Sequence, residues 1–263
     1  MTETDADTWR QLLEARAAVD GRRAAPALPA TQLAALFGEL ARTPLGARFV
    51  IAHLGQSLDG RIATESGHSH YIGSFESIVH LHRLRALVDA VVVGIGTVLA
   101  DQPRLTTRHV EGPNPTRVVL DPRGRLRAPA SLLDDGAAPT LVVHAEAVDP
   151  ELPAHVARLA VPPTPTGILP PAAVLAALAA RGLARILVEG GGRTVSSFVA
   201  AGAVDRLQFA VAPMLIGSGR PALTLPAVET LAAALRPRVR RFDLGRDTLF
   251  DFDLHQPAEE DTR

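Results

Sequence analysis

Short apolar runs alternate with segments of helical periodicity along most of the chain. Strand-like runs lie at 49–54, 90–93, 117–120, 140–144, 158–161, 185–188, 206–211, 238–244 and 248–254. Helical spacing of apolar positions predicts helices at 75–88, 170–181 and 194–201. Because strands and helices alternate, we expect an α/β fold with a mostly parallel central sheet flanked by helices. The short turn at 245–247 predicts an antiparallel C-terminal hairpin at one edge of that sheet.

Two amphipathic helical patterns precede this alternation. The first contains Trp9 and Leu12, and the second contains Leu36 and Phe37, with Thr31 as the expected N-cap. We therefore divide the chain into a helical N-terminal extension at 1–47, a domain at 48–256 and a tail at 257–263. The pattern leaves open whether the extension caps the sheet, widens a dimer contact or covers a substrate cleft.

The strand at 185–188 leads through Glu189 into a turn of three glycines, and a helix follows. The amides and the dipole at a helix N-terminus favour an anion, and glycines let the backbone approach it closely. In α/β proteins, the residue at the end of such a strand commonly lies in the active site. The turn also fits a simple connector between strand and helix, and its own residues do not decide between a phosphate site and a connector.

Arg85 interrupts an apolar helical stripe. It lies four residues after Leu81 and seven after Ile78, on the face that is expected to meet the core. A guanidinium in that position needs an anionic partner. A neighbouring carboxylate would satisfy it as an ion pair, and a ligand phosphate would satisfy it with charge-assisted hydrogen bonds.

Composition excludes several classes of function. The formal net charge is −1, so we expect neither nucleic acid nor a membrane surface as a partner. The chain has no cysteine, which rules out disulfides and thiol chemistry and fits a cytoplasmic protein. We expect no signal peptide and no membrane span. The histidine pairs at 68/70 and 80/82 lack an adjacent third ligand, so we predict no metal site.

Several motifs occur in the order found in one enzyme family. They are GQSLDGRIA at 55–63, SGHS at 66–69, HRLR at 82–85, GIGTVLADQPRLT at 94–106, RVVLD at 117–121, LVEGG at 187–191, VDRL at 204–207 and APMLIGSG at 212–219. Together they resemble the reductase domain of bacterial riboflavin biosynthesis, the RibD C-terminal type. The resemblance implies a dihydrofolate-reductase-like fold, NADPH as the hydride donor and a homodimer. It also implies a reaction that converts the ribosyl group of 5-amino-6-(5-phosphoribosylamino)uracil, or of its diamino analogue, to ribityl.

The resemblance also implies roles for individual residues. Substrate contacts fall on Ser69, Arg85, Leu105, Arg108 and Glu189, with the arginines holding the substrate phosphate. Glu189 is also the candidate catalytic acid, with water as the other candidate proton source. Cofactor contacts fall on Gly55, Tyr71, Thr97, Asp101, Gly191, Gly192, Arg193, Thr194, Val195, Ser196 and Ser197. We interpret Asp59 as structural, because it precedes the turn at Gly60.

Three positions depart from the family pattern. His53 stands beside the substrate where the family usually has Lys, so a permanent cation is replaced by an imidazole. Tyr71 stands where Trp is common. At 121–123 the sequence is Asp-Pro-Arg rather than Asp-Ser, and Arg123 or Arg125 is a candidate for the cofactor 2′-phosphate. The change at His53 leaves open a related reductase for another pterin or pyrimidine, and a non-catalytic nucleotide-binding module is the alternative from a different class.

Overall fold

A nine-stranded sheet crosses the computed structural model, which describes residues 3–70 and 72–257. The strands are β1 (Phe49–Ser57), β2 (Arg61–Thr64), β3 (Ala90–Gly94), β4 (Thr116–Leu120), β5 (Thr140–Ala145), β6 (Ala157–Val161), β7 (Arg185–Glu189), β8 (Arg206–Ala212), β9 (Gly219–Pro221), β10 (Pro237–Leu244) and β11 (Asp247–Pro257). The helices are α1 (Glu3–Asp20), α2 (Gln32–Arg42), α3 (Phe75–Leu87), α4 (Ile95–Asp101), α5 (Ser131–Asp134), α6 (Pro171–Ala179) and α7 (Gly192–Ala200), with one 3₁₀ turn at Leu231–Ala233.

The order of strands across the large sheet is β10-β11-β8-β1-β7-β3-β4-β5-β6. Neighbouring strands are parallel throughout the stretch β8-β1-β7-β3-β4-β5-β6. Strand β11 pairs antiparallel with β8 and with β10. The mostly parallel sheet and its antiparallel C-terminal pair are therefore confirmed. The small antiparallel pair of β2 and β9, and the short helices α4 and α5, were not predicted. The helices α4 and α5 have seven and four residues, too few to show helical periodicity, and β2 and β9 contain no run of three apolar residues.

Side chains that alternate along the strands form two cores, one on each face of the sheet. On one face Ile51 and Leu187 pack with Leu12, Phe37 and Leu84, which come from α1, α2 and α3. The opposite face of β1 and β7 packs against α6 and α7, with core residues Val50, Val188, Val174, Leu178 and Phe198. Helices thus cover both faces, and the carboxyl ends of the parallel strands remain as the edge where a cleft can form.

The N-terminal extension caps the first of these faces, which is one of the three roles that the sequence left open. Leu12 and Phe37 are completely buried in the same core as the strands. Thr31 caps α2, as expected, by accepting a hydrogen bond from the amide of Ala34 (3.2 Å). Arg185 in β7 pairs with Asp20 at the end of α1 (2.6 Å). The extension therefore shares the core of the domain at 48–256 rather than folding beside it.

The tail predicted at 257–263 begins at the last residue of β11, and residues beyond 257 lie outside the described part of the chain. Within 3–70 and 72–257, no helix has both the length and the apolar character needed to cross a membrane.

Candidate functional site

A cleft opens at the carboxyl ends of the central parallel strands. Its cavity has a volume of about 240 Å³. Residues from β1, β2, β7, β8 and α3 and from the adjoining loops line it: His53, Leu54, Gly55, Ile62, Gly73, Ser77, Ile78, Leu81, Glu189, Gly190 and Ala210. Three residues proposed from the sequence, His53, Gly55 and Glu189, thus meet at one place. This is the edge of a parallel sheet where α/β proteins bind ligands.

A row of buried polar side chains crosses the sheet beside this cleft. Gln208 on β8 lies between Asp251 on β11 and His53 on β1, each directly opposite it in the sheet. On the other side of His53, Glu189 on β7 lies directly opposite it. All four lie on the face that α1, α2 and α3 cover, and none is more than 6% exposed. We call these four residues the polar row. Its members at 208 and 251 were not among the sequence-predicted site residues.

Arg85 and Glu189, at the cleft end of the row, form a buried ion pair. The guanidinium donates from Nε to Oε1 (2.8 Å) and from Nη2 to Oε2 (2.6 Å) of Glu189. Its Nη1 donates to the carbonyl oxygen of Thr106 (3.1 Å). The carboxylate partner that Arg85 required is therefore Glu189 itself, contributed by a strand 104 residues away in the sequence. The ion-pair alternative accounts for its position, and a direct phosphate contact by Arg85 stays a prediction.

More cations surround this ion pair than carboxylates. Burial, Arg85 and Arg104 lower the pKa of Arg108, while Glu189 acts in the opposite direction, so these four groups lie within electrostatic reach of one another. Arg108 is exposed, and its Nη1 donates to Oγ1 of Thr106 (3.0 Å). Arg108 is therefore influenced by two further guanidinium groups and by the carboxylate of Glu189, a balance of charge that favours an anion beside it.

His82 holds the loop that carries Arg104 and Arg108. Its Nδ1 accepts a hydrogen bond from the backbone amide of Arg108 (2.8 Å). Burial, followed by the charges of Arg85 and Arg108, lowers the pKa of His82 to about 3, which keeps the ring neutral and able to accept. Within the loop, Leu105 adopts a left-handed backbone (φ 55°) with its side chain buried in the core. A substrate contact from Leu105 would therefore come from its backbone.

The glycine turn packs tightly against α4. Gly190 adopts a positive φ of 90°, and the amide of Gly191 donates to Oγ1 of Thr97 (2.8 Å). A β-carbon on Gly190 would lie 2.8 Å from that same oxygen. A β-carbon on Gly192 would collide with the backbone of β9, 2.7 Å from the carbonyl oxygen of Pro221. The turn thus requires glycine for its own packing, and it brings together the predicted cofactor residues Thr97 and Gly191.

The remaining predicted cofactor residues differ in what they offer a ligand. Val195 is completely buried in the core, and Ser196 Oγ accepts a hydrogen bond from the amide of Thr224 (2.9 Å). Arg193 is exposed, and Thr194 and Ser197 are half-buried near the start of α7. Asp101 is exposed at the far end of α4. A ligand can therefore reach the side chains of Arg193, Thr194 and Ser197 but not that of Val195.

A further predicted residue, Ser69, belongs to the loop before α3. Ser69 is half-buried between His68 and His70, whose rings lie 5.9 Å apart. Tyr71 lies outside the described residues. In the loop after β4, Asp121 is buried and accepts a hydrogen bond from the amide of Leu126 (2.7 Å). Arg123 and Arg125 in that loop, the candidates for a 2′-phosphate contact, are both exposed.

Asp59 has the structural role expected from the sequence. Its carboxylate accepts hydrogen bonds from Ser57 Oγ and from the amides of Ile216 (3.1 Å) and Gly217 (2.7 Å). These bonds lower its pKa to about 2, the bond from Ser57 having the largest effect. Asp59 thereby ties the turn after β1 to the segment that leads into β9.

The chain is similar in sequence to reductases of riboflavin biosynthesis. Residues 48–242 match the family described as the RibD C-terminal domain. A protein of Methanothermobacter thermautotrophicus named 2,5-diamino-6-ribosylamino-4(3H)-pyrimidinone 5′-phosphate reductase is 36% identical over 214 residues, which cover 78% of this chain and 98% of that protein. The riboflavin biosynthesis protein RibD of Bacillus amyloliquefaciens is 36% identical over 191 residues. That match covers 72% of this chain but only 51% of RibD, so the chain spans about half the length of that relative.

Solved structures give the same picture of the fold. The deaminase/5-amino-6-(5-phosphoribosylamino)uracil reductase of Thermotoga maritima superposes with a TM-score of 0.69 at 27% identity, over 79% of this chain and 56% of that one. A riboflavin biosynthesis reductase of Saccharomyces cerevisiae superposes with a TM-score of 0.67 over 85% of this chain and 99% of that one. At 21% identity the yeast protein supports the fold alone.

Proposed function

We propose that this chain, which belongs to the RibD C-terminal domain family, reduces a phosphorylated ribosylaminopyrimidinone in riboflavin biosynthesis. The ribosyl group of 5-amino-6-(5-phosphoribosylamino)uracil, or of its diamino analogue, would become a ribityl chain. The similar proteins of Methanothermobacter and Thermotoga are named for the diamino and the uracil substrate, respectively. Both pyrimidines are therefore candidates for this chain.

The observation that carries the proposal is the excess of guanidinium groups beside the Arg85–Glu189 pair. A phosphate near Arg108 and Arg104 would balance the charge that one carboxylate leaves uncompensated. Because Arg108 is exposed while Arg85 is buried and paired, we assign the direct phosphate contact to Arg108 first. Arg85 would then act by holding Glu189 and by adding to the positive potential.

Glu189 is proposed to orient the substrate at the cleft. Its carboxylate lines the cavity while both of its oxygens accept from Arg85. A carboxylate held in this way is better suited to accept a hydrogen bond from a substrate hydroxyl or amine than to give up a proton. Water is then the favoured proton source, and Glu189 as a catalytic acid is the less favoured alternative.

We propose NADPH as the cofactor, held by Thr97 and by the turn at Gly191, Gly192, Arg193 and Thr194, with Ser197 nearby. The N-terminus of α7 at Gly192 has no side-chain cap, so its backbone amides are suited to a phosphate group of the cofactor. Gly55, at the rim of the cavity, is a further candidate contact, and Tyr71 and Asp101 stay predictions. When bound, the nicotinamide would supply the hydride.

One observation favours a second candidate, a related reductase for another pterin or pyrimidine. His53, in place of the usual Lys, lines the cavity as a buried ring whose pKa is lowered to about 4, chiefly by burial. A neutral side chain there would select a different substrate group than a cation would. The family resemblance further supports a homodimer and a cytoplasmic location, which light scattering and cell fractionation would test.

The proposal is tested by following NADPH oxidation at 340 nm with each of the two phosphorylated pyrimidines. We expect turnover with at least one of them, and product analysis should show a ribityl chain. NADPH binding without turnover of either pyrimidine would favour the related reductase. Absence of NADPH binding in a thermal-shift titration would contradict the proposal of an NADPH-dependent reductase.

A further inference from the structure

His53 lies at the centre of the polar row, between Gln208 and Glu189, and its ring does not use both of its nitrogens within the protein. Its Nδ1 is buried and has no hydrogen-bond partner among the described residues. Gln208, directly opposite on β8, contacts the ring and stabilises a proton on it. The buried Nδ1 therefore remains to be explained.

The orientation of Gln208 is determined by the end of the row that is remote from the cleft. Asp251 accepts hydrogen bonds from Arg206 and from Arg240 (2.8 Å to Nη2), and a carboxylate paired with two guanidinium groups can only accept. The amide nitrogen of Gln208 therefore points to Asp251, 3.2 Å away. Its oxygen consequently points to α3 and β1, where it accepts from Nε2 of His80 (2.7 Å).

An amide oxygen can only accept, so a ring nitrogen of His53 that meets it must carry the proton. In a neutral imidazole the second nitrogen then carries a lone pair. We propose that His53 contacts the substrate as a neutral imidazole of fixed tautomer, accepting a hydrogen bond from an N–H or O–H group. Gln208 is the positioning residue that fixes this tautomer. The inference rests on the proposed function, since it assigns a role at the same cleft.

The charges around His53 support a neutral ring. Burial, together with the charge of Arg85, lowers its pKa to about 4, while the contact with Gln208 acts in the opposite direction. The titratable and charged groups that face it are His80 and Arg85 from α3 and Glu189 from β7, with Asp251 behind Gln208. Glu189 is already paired with Arg85, so its charge is largely compensated.

The N-terminal extension closes the side of this cluster that faces away from the cleft. The ring of Phe37 in α2 packs on His80 at 5.1 Å between centroids, and His80 packs on His53 at 5.4 Å. Phe37 lies outside the part of the chain that matches the family, 48–242. The N-terminal extension therefore provides an apolar residue, Phe37, that covers His80 and, through it, His53, the residue that replaces the usual Lys of the family.

The first test is nuclear magnetic resonance of the full chain with ¹⁵N-labelled histidine, recorded from pH 5.5 to 8.5 without substrate. We expect His53, assigned from a His53→Asn variant, to remain neutral in one tautomer across this range. In Gln208→Leu the acceptor is lost, and the ring should become a mixture of both tautomers. Titration of His53 near pH 6.5 in the unsubstituted chain, or an unchanged tautomer in Gln208→Leu, would overturn the inference.

The second test is steady-state kinetics of the same variant with whichever pyrimidine is turned over. We expect Gln208→Leu to raise KM roughly five- to tenfold, the effect of one hydrogen bond between neutral groups, with kcat changed less than about twofold. Phe209→Leu is the matched control, because Phe209 lies on the same strand but packs on the opposite face, against Phe252. If Phe209→Leu raises KM as much as Gln208→Leu does, the effect is structural and the positioning role is wrong.

The two tests separate failure of this inference from failure of the proposed function. The resonance experiment needs neither cofactor nor pyrimidine, so it reports on the His53 tautomer even if no pyrimidine is reduced. Turnover of a pyrimidine together with a titrating His53 would support the proposed function and overturn the inference alone.

Discussion

The two halves of the cleft are built from different chemistry. Around Arg85, Glu189 and Arg108, charged side chains converge from α3, β7 and the loop after α4. Around Gly190 and Gly192, the backbone of the turn packs against Thr97 and β9 with no room for a β-carbon. The first half depends on charge balance in a buried place, and the second depends on close backbone approach.

This difference predicts that substitutions in the two halves destabilise the protein for different physical reasons. Removal of a charged side chain from the charged half leaves its partner buried without an opposite charge, so the loss of stability is electrostatic. A methyl group added to the glycine half forces the backbone to move, so its cost is steric. Because the halves are proposed to serve substrate and cofactor separately, damage to one should leave binding at the other largely intact.

The largest effect is expected from breaking the buried ion pair. Arg85→Met leaves the carboxylate of Glu189 buried without its partner, which should lower the free energy of unfolding by about 3–5 kcal/mol. Urea denaturation measures this change. Adding Glu189→Leu to Arg85→Met should restore much of the stability but none of the reductase activity. A loss below about 1 kcal/mol in the single variant would show that the pair is not the charge-balanced centre described here.

A smaller effect is expected from Gly192→Ala in the glycine half. The new β-carbon would meet backbone atoms of Pro221 and Ala222, which cannot rotate away, at a cost of about 1–3 kcal/mol in unfolding free energy. We also expect the Kd for NADPH to rise while KM for the pyrimidine stays within about twofold. Gly191→Ala is the matched control, since its nearest neighbour is Thr97 Oγ1 at 3.2 Å and its φ is negative. Equal effects of the two substitutions would contradict the steric account.

Arg108→Ala separates function from stability in the charged half. Loss of one charge-assisted contact to phosphate should raise KM for the phosphorylated pyrimidine roughly 10- to 100-fold, or about 1.5–3 kcal/mol. The unfolding free energy should change by less than about 0.5 kcal/mol, because the side chain is exposed. Arg10→Ala, which removes an exposed ion pair with Asp7 on α1, serves as the control and should leave KM unchanged.

The buried histidines of the charged half predict how stability depends on pH. Burial lowers the pKa of His53 to about 4 and that of His80 to about 3, from an ordinary value of 6.5. Between these values the unfolded chain binds more protons, so the free energy of unfolding decreases as the pH falls from about 6.5 toward 4. Each histidine contributes a slope of up to about 1.4 kcal/mol per pH unit.

Denaturation in urea at a series of pH values measures that slope. His53→Asn should reduce the slope of unfolding free energy against pH by the contribution of one histidine. His68→Gln, in an exposed loop, should leave that slope unchanged. A pH-independent stability between pH 4 and 6.5 would mean that His53 and His80 are protonated as easily in the folded chain as in the unfolded one.

The main strands and helices could be predicted from the sequence because their apolar residues form continuous runs or helical stripes. The runs at 49–54 and 185–188 became β1 and β7, and the stripe from Ile78 to Leu84 became α3. The position of Arg85 on that stripe also predicted an anionic partner. Periodicity alone did not identify the partner as Glu189, because contact between a helix and a strand 104 residues away depends on the tertiary arrangement.

The polar row could not be predicted for the same reason. Alternation along β8 shows that Gln208 shares a face with Arg206, but it does not show which strands lie beside β8. The row exists because β1 and β11 flank β8 in a register that aligns His53, Gln208 and Asp251. Strand order and register come from long-range packing, and a single sequence carries no direct signal for them.

The central claim, that the guanidinium excess at the cleft binds a substrate phosphate, is tested most directly by removing that phosphate. We would measure NADPH oxidation with the phosphorylated pyrimidine and with its dephosphorylated riboside, using the unsubstituted chain and Arg108→Ala. The account predicts that loss of the phosphate raises KM at least about tenfold in the unsubstituted chain and much less in Arg108→Ala, because the two changes remove the same contact. Equal KM values for the two compounds in the unsubstituted chain would contradict it.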